Sequence, residues 1–359
     1  MSEVTCSRAE QGPTRADAAE ARGRIRSRSG GASEAGVEMI GLRAAYGPKT
    51  VLAGVDVTVA RGSVFALLGP NGAGKTTTVR ILATLQPPDG GTARVAGRDV
   101  VGEPEAVRRA ISLTGQFAAV DDQLTAEENL LLIGRLRRLG RTERRRRTAE
   151  LLDMLELTAD ARRRVKTFSG GMRRKVDLAM SLVGRPEVLF LDEPTTGLDP
   201  RSRQAVWDVV GELVGSGVTI FLTTQYLEEA DQLADRISVL DGGRVVATGS
   251  ADELKRRIGA EQVELALADR AGIERARGLL GPGVVVAGAG RGGAGVPAAA
   301  GAGPLVRVPT DGSADHLRYV LDTLAAGGVA VSTATVRRPT LDDVFLALTG
   351  TRELEGASR

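Results

Sequence analysis

At 359 residues the chain exceeds one average domain and has room for a core of about 200 to 250 residues plus a smaller unit. Its 48 basic and 45 acidic residues nearly cancel, to +3, and aromatics make up only 3%, so the composition offers neither a polyanion-binding surface nor a base-stacking platform and no nucleic-acid partner is expected. One cysteine, Cys6, excludes a disulfide framework or a cysteine-based metal site; with no run of about 18 apolar residues the sequence predicts no membrane span, and with no apolar core near the N-terminus it predicts no secretion signal.

Residues 1 to 36 carry six arginines, five acidic residues and no aromatic, too little apolar surface to offset ordering entropy, and are expected to be a disordered tail. From Val37 the stretches VEMIGLRAAY and VLAGVDVTVA alternate like antiparallel strands. VFALLG then forms a continuous apolar run ending in a glycine-rich turn, and TTTVRILATL follows at helical spacing, which predicts strand, loop, helix. Residues 124 to 165, rich in Leu, Glu and Arg, predict a helical insertion in which Arg144 to Arg147 form a solvated face. The β/α pattern resumes with the strand VLFLDE, the helix RQAVWDVVGELV, the strand VTIFLT and the helix LEEADQLA, and RISVLD and RVVATG make a hairpin turned by Gly242 and Gly243. This is an α/β fold, a mixed sheet with helices on its faces and a helical subdomain, over residues 37 to 255. Residues 256 to 350 predict a small α+β accessory domain of βαββαβ order: QVELAL, a helix to Leu280, VVV, LVRV, a helix from Ala314 to Ala325, and VAVSTATV. Nine Gly, seven Ala and three Pro between 281 and 304 mark an extended loop inside it, and residues 351 to 359 are expected to be a flexible tail.

Three motifs carry chemistry. Directly between a predicted strand and helix stands GPNGAGKTT: Gly69, Pro70, Asn71, Gly72, Ala73, Gly74, Lys75, Thr76 and Thr77. Such a loop turns successive backbone N–H groups toward phosphate oxygens at the positive end of a helix dipole. Lys75 can reach the β- and γ-phosphates of a nucleotide, and the Thr76 hydroxyl is placed to ligate Mg²⁺. The second motif is the pair of carboxylates ending VLFLDE. Asp192 is expected to hold the metal and Glu193 to polarise the attacking water, because a buried strand gains nothing in packing from two terminal acids. In the third, FSGGMRRKVDLAMSL, Ser169 reads as the N-cap of a helix that opens with Gly170 and Gly171, a second preorganised anion site.

This last segment resembles the signature sequence of ABC (ATP-binding-cassette) ATPases, with Phe168 where leucine is commonest. With the phosphate loop and a glutamine loop at Gln116 upstream, and EPTTGLDP downstream, the order is that of one complete ABC nucleotide-binding domain. The resemblance implies further roles: Tyr46 stacks on adenine, Gln116 senses Mg²⁺ and the lytic water, and Asp199 contacts a second subunit. It also implies a homodimer, because in the family the segment matching Ser169 to Gly171 meets the γ-phosphate held by the other chain. TGQFAAVDDQLTAEENL, TTQYLEEADQLADRI and the terminal PTLDDVFLALTG are similar to the ATP-binding subunits of daunorubicin and doxorubicin resistance exporters. That branch implies efflux of a bulky apolar compound through a separate integral-membrane permease subunit, with this chain peripheral on the cytoplasmic side. One departure concerns catalysis, since Gln225 stands where most ABC ATPases have histidine and can hydrogen-bond without carrying positive charge. The single histidine, His316, lies far from every motif and reads as an ordinary surface or packing residue. A non-transport ABC ATPase acting on ribosomes or DNA is the alternative. Two ATPase domains, zinc cysteines or long coiled-coil insertions would mark it, and the sequence has none of these, while PTLDDVF argues against an importer.

Overall fold

The computed structural model describes residues 35–115, 119–258, 261–281, 284–286, 304–337 and 339–356. Most of the expected N-terminal tail, Gln116 and most of the Gly/Ala loop therefore lie outside the described residues.

The first unit holds two sheets. One is antiparallel, in the order β2-β1-β4-β5, from β1 (Ala35–Tyr46), β2 (Lys49–Ala60), β4 (Gly90–Val95) and β5 (Arg98–Asp99). The strand starts two residues before the expected boundary, with Ala35 opposite Ala60. The other sheet runs β10-β9-β3-β8-β7-β6, from β3 (Val64–Leu68), β6 (Ile111–Thr114), β7 (Val188–Asp192), β8 (Thr219–Thr224), β9 (Arg236–Asp241) and β10 (Arg244–Gly249). All its pairings are parallel except the β9–β10 hairpin, which turns at Gly242 and Gly243 as expected.

Every residue of β3, β7 and β8 is buried, because a parallel sheet is covered on both faces. Strand alternation divides them between two cores. Phe65, Phe190 and Phe221 face the antiparallel sheet and α1 (Lys75–Leu82), with ring centroids 5.1 and 5.7 Å apart along the row. Leu68, Leu189, Leu191 and Leu222 face the helical side, which includes α5 (Gly170–Leu182) and α6 (Pro200–Gly215). Each such side chain contributes roughly 1.5 to 3 kcal/mol by leaving water.

The helical insertion is α3 (Ala126–Leu136) and α4 (Arg141–Met154) followed by two short 3₁₀ turns, with α2 (Pro104–Ala110) preceding β6. A capping box starts α3: the Glu128 N–H donates to Thr125 Oγ1 at 3.1 Å and the Thr125 N–H to Glu128 Oε2 at 2.8 Å. Arg147 departs from the solvated face expected of its run. Its side chain is only 17% exposed and donates to the last carbonyl of α5, Leu182 O, at 2.9 Å.

After α7 (Leu227–Leu233) and α8 (Ala251–Ile258), the second unit has the expected βαββαβ order. Its strands β11 (Glu261–Leu267), β12 (Val285–Val286), β13 (Leu305–Thr310) and β14 (Val331–Arg337) form an antiparallel sheet ordered β12-β13-β11-β14. Val263, Leu265, Val306 and Val308 pack under α9 (Ala271–Leu280) and α10 (Ala314–Ala326). The final helix, α11 (Leu341–Gly356), behaves differently from the sequence expectation. It runs into the segment expected to be a flexible tail, and Leu341 and Val344 belong to the core of the first unit, against α7 and α8. His316 sits on α10 near Asp311, partly exposed.

Candidate nucleotide site

The site lies at the C-terminal ends of β3, β7 and β8, where open parallel sheets bind ligands. Between β3 and α1 the phosphate loop closes with Gly74 in the left-handed region at φ 110°. A Cβ there would fall 2.6 Å from Leu52 Cδ2, so only glycine fits both the turn and the close approach of β2. Lys75 is 4% exposed. Its Nζ donates to Gly69 O at 2.7 Å and Pro70 O at 3.1 Å and pairs with Glu193 Oε1 at 3.3 Å. A buried ammonium is costly unless paired, and this one sits where a phosphate would be its natural partner.

The two carboxylates of β7 are built differently. Asp192 Oδ1 accepts from Thr223 Oγ1 at 2.6 Å and from Thr76 Oγ1 at 3.3 Å. Glu193 has φ 50°, a left-handed backbone uncommon outside glycine, and its N–H donates to Thr223 O at 3.1 Å. Its other oxygen, Oε2, accepts from Thr196 Oγ1 at 3.3 Å. Thr223 is a site residue that the sequence reading missed, placed by the parallel register that sets it beside Asp192. Its one signal was a polar end to an otherwise apolar strand. The oxygens of Thr76 and Asp192 converge at the cleft as hard donors, which suits Mg²⁺, an ion that takes one or two protein oxygens and completes its shell with phosphates and water.

A cleft of about 580 Å³ opens over these groups, within the usual range for small-molecule sites. Asn71, Gly72, Gly74, Lys75, Thr76, Thr77, Asp192, Glu193 and Gln225 all line it, as does Tyr46, half exposed with its hydroxyl donating to Gln86 Oε1 at 2.7 Å. Lys49, Val51 and Thr196 also line it and were not singled out from sequence. Gly69 and Pro70 contribute the carbonyls that hold Lys75, and Ala73 is buried.

Ser169, Gly170, Gly171 and Asp199 form a second group that does not line the cleft. Ser169 Oγ accepts from the Met172 N–H at 3.3 Å and so caps α5 as expected. Asp199 caps α6, accepting from the Ser202 N–H at 3.0 Å and from Ser202 Oγ at 2.6 Å, and these bonds hold its exposed carboxyl below the usual range. The first turns of the two helices touch: a Cβ on Gly171 would lie 2.6 Å from Ser202 Oγ. Gln116 lies outside the described residues, but α5 grips the chain on either side of it. Arg174 donates to Gly115 O at 2.9 Å, and Asp177 accepts from the Ala119 N–H at 3.0 Å.

A phosphate loop with a buried lysine, a threonine–aspartate oxygen pair and an adjoining glutamate at the end of a parallel sheet define a phosphate-loop nucleoside triphosphatase. Comparison with known proteins narrows the class. The family model described as ABC transporter matches residues 52–196. A daunorubicin resistance ATP-binding protein of Streptomyces coeruleorubidus is 49% identical over 89% of this chain and 97% of its own length. A doxorubicin resistance ATP-binding protein of Mycobacterium tuberculosis is 48% identical over 86% and 92%. Among solved structures, an ATP-binding subunit of an ABC transporter superposes with a TM-score of 0.55 and 32% identity, covering 62% of this chain and 92% of that one. This chain belongs to the ABC transporter family, as an ATP-binding subunit that hydrolyses ATP. Among the described residues no helix is long and apolar enough to cross a membrane.

Proposed function

We propose that the chain drives efflux of a bulky apolar compound, of drug or antibiotic type, through separate integral-membrane permease subunits, and that it does so as a homodimer on the cytoplasmic face of the membrane. The observation that carries the dimer is the separation within one chain of the nucleotide cleft from Ser169–Gly171 and Asp199. An N-terminal helix end with a serine cap is an anion site, and here it has no phosphate-binding loop beside it in the same cleft, so a second copy supplies the match. The efflux reading takes support from the names of the resistance proteins that the chain resembles over most of its length.

In this reading the loop N–H groups of residues 72–77 and Lys75 orient the triphosphate. Lys75 exchanges its contact with Glu193 for phosphate oxygens, which frees the Glu193 carboxylate to accept a proton from the attacking water. Thr76 and Asp192, with Gln116, would hold Mg²⁺, which would supply positive charge against the triphosphate. Gln225 hydrogen-bonds the γ-phosphate from the cleft wall, and Tyr46 stacks on adenine at its rim. Recovery of the tagged chain from native membranes tests the assignment. Co-purification with an integral membrane protein, and MgATP-driven accumulation of daunorubicin in inside-out vesicles that is lost with Glu193→Gln, are the expected results. Recovery with ribosomes and no membrane protein would overturn it.

A further inference from the structure

Glu229, on α7, is fully buried yet four residues past Gln225 and absent from the cleft lining. Its Oε1 accepts from the indole Nε1 of Trp207 on α6 at 3.3 Å, and the hydroxyls of Thr195 and Thr224 face it. One helical turn before Trp207, Arg203 stacks its guanidinium over the Tyr226 ring at 4.8 Å and donates to Leu198 O at 3.3 Å. The face of α6 formed by Arg203 and Trp207, spaced i, i+4, thus meets Tyr226 and Glu229, spaced i, i+3. Tyr226 directly follows Gln225, and Leu198 directly precedes Asp199. Apolar residues of similar volume would pack α6 against α7 at no cost in buried charge, so the carboxylate is not accounted for by stability.

We infer that Glu229 and Trp207, with Arg203 and Tyr226, form a clasp that sets the position of Gln225 in the cleft against the Leu198–Asp199 segment, making Glu229 a positioning residue for hydrolysis. The inference rests on the reading of Gln225 as a group that meets the γ-phosphate. Cleft and subunit-facing segment are then mechanically linked through one buried hydrogen bond and one cation–π contact. Glutamine in place of Glu229 would keep an acceptor for the indole, whereas leucine would fill the space and lose the bond.

Steady-state ATPase kinetics of the full chain test this with Glu229→Leu, Glu229→Gln, Gln225→Ala and the Glu229→Leu/Gln225→Ala double variant. The expected result is a kcat about tenfold lower for Glu229→Leu with KM within about twofold, the order of one lost hydrogen bond, and near-wild-type kcat for Glu229→Gln. In the Gln225→Ala background Glu229→Leu should add nothing, because a residue acting through Gln225 has nothing left to position. Should Glu229→Leu fail to fold, Trp207→Phe removes the same bond from the other side and is read in the same way. An equal loss from Glu229→Leu in both backgrounds, or an unchanged kcat, would overturn the clasp while leaving the role of Gln225 standing. A Gln225→Ala variant at the wild-type rate would overturn both.

Discussion

Lys75 and Glu193 neutralise each other in the cleft, and the two halves of that pair have opposite consequences when removed. Lys75→Ala takes away the charge that phosphate needs and should weaken ATP binding by about a hundredfold or more, while Glu193→Gln should bind ATP near normally and not turn it over. Equilibrium titration with a fluorescent ATP analogue, beside an ATPase assay, separates the two. Glu229 makes a prediction about pH. Burial pushes its carboxyl above the ordinary 4.5, against the pull of Thr224, Thr195 and Trp207 and of the nearby Arg203. Between the unfolded and the raised native value the native state binds more protons than the unfolded chain, so stability falls as pH rises across that interval. Glu229→Gln should flatten that part of the curve, and the difference in Tm between variant and wild type from pH 5 to 8 measures it; a constant difference would contradict the assignment. Lys75, Thr76, Asp192 and Glu193 were legible in sequence because their chemistry fixes their spacing along the chain. Thr223 and Glu229 were not, because strand register and helix packing, rather than local spacing, bring them to their partners.

Helix α5 links the signature end to the chain around the glutamine loop through Arg174 and Asp177, both about 6% exposed and 3.0 Å apart. Burial drives the Asp177 carboxyl up and the Arg174 guanidinium down, so each depends on the other and on its backbone partner for compensation. Asp177→Ala takes the ion-pair partner from the buried Arg174 and leaves it only the more weakly acting Glu229, at a cost of about 3 kcal/mol. A urea midpoint within error of wild type would refute that. Most elements could be read from pattern alone: the continuous runs of β3, β7 and β8 matched strands covered on both faces, and Ser169 behaved as the cap its position suggested. The arginine run on α4 was less legible. Nothing local distinguishes Arg147 from its neighbours, and only the arrival of the C-terminal end of α5 turns it inward.

Across the whole molecule, α11 returns from the second unit to complete the core of the first, which the sequence order concealed because it follows β14 without a break in pattern. Val344 is 2% exposed and Leu346 on the same helix 55%. Val344→Asp should therefore destabilise the chain by more than about 3 kcal/mol and Leu346→Asp hardly at all, as thermal unfolding would register. In the proposed dimer the chain carries two half-sites that a second copy joins. Ser169, Gly171 and Asp199 cluster at the touching ends of α5 and α6, apart from the cleft that holds Lys75 and Glu193. Sedimentation of Glu193→Gln with and without MgATP, alone and combined with Gly171→Gln, addresses this most directly. The expected result is a shift from the monomer mass of 37.5 kDa to twice that value on adding MgATP, abolished when Gly171 is also changed. A Glu193→Gln chain that stays monomeric with MgATP at micromolar concentration, or a dimer indifferent to Gly171→Gln, would contradict it.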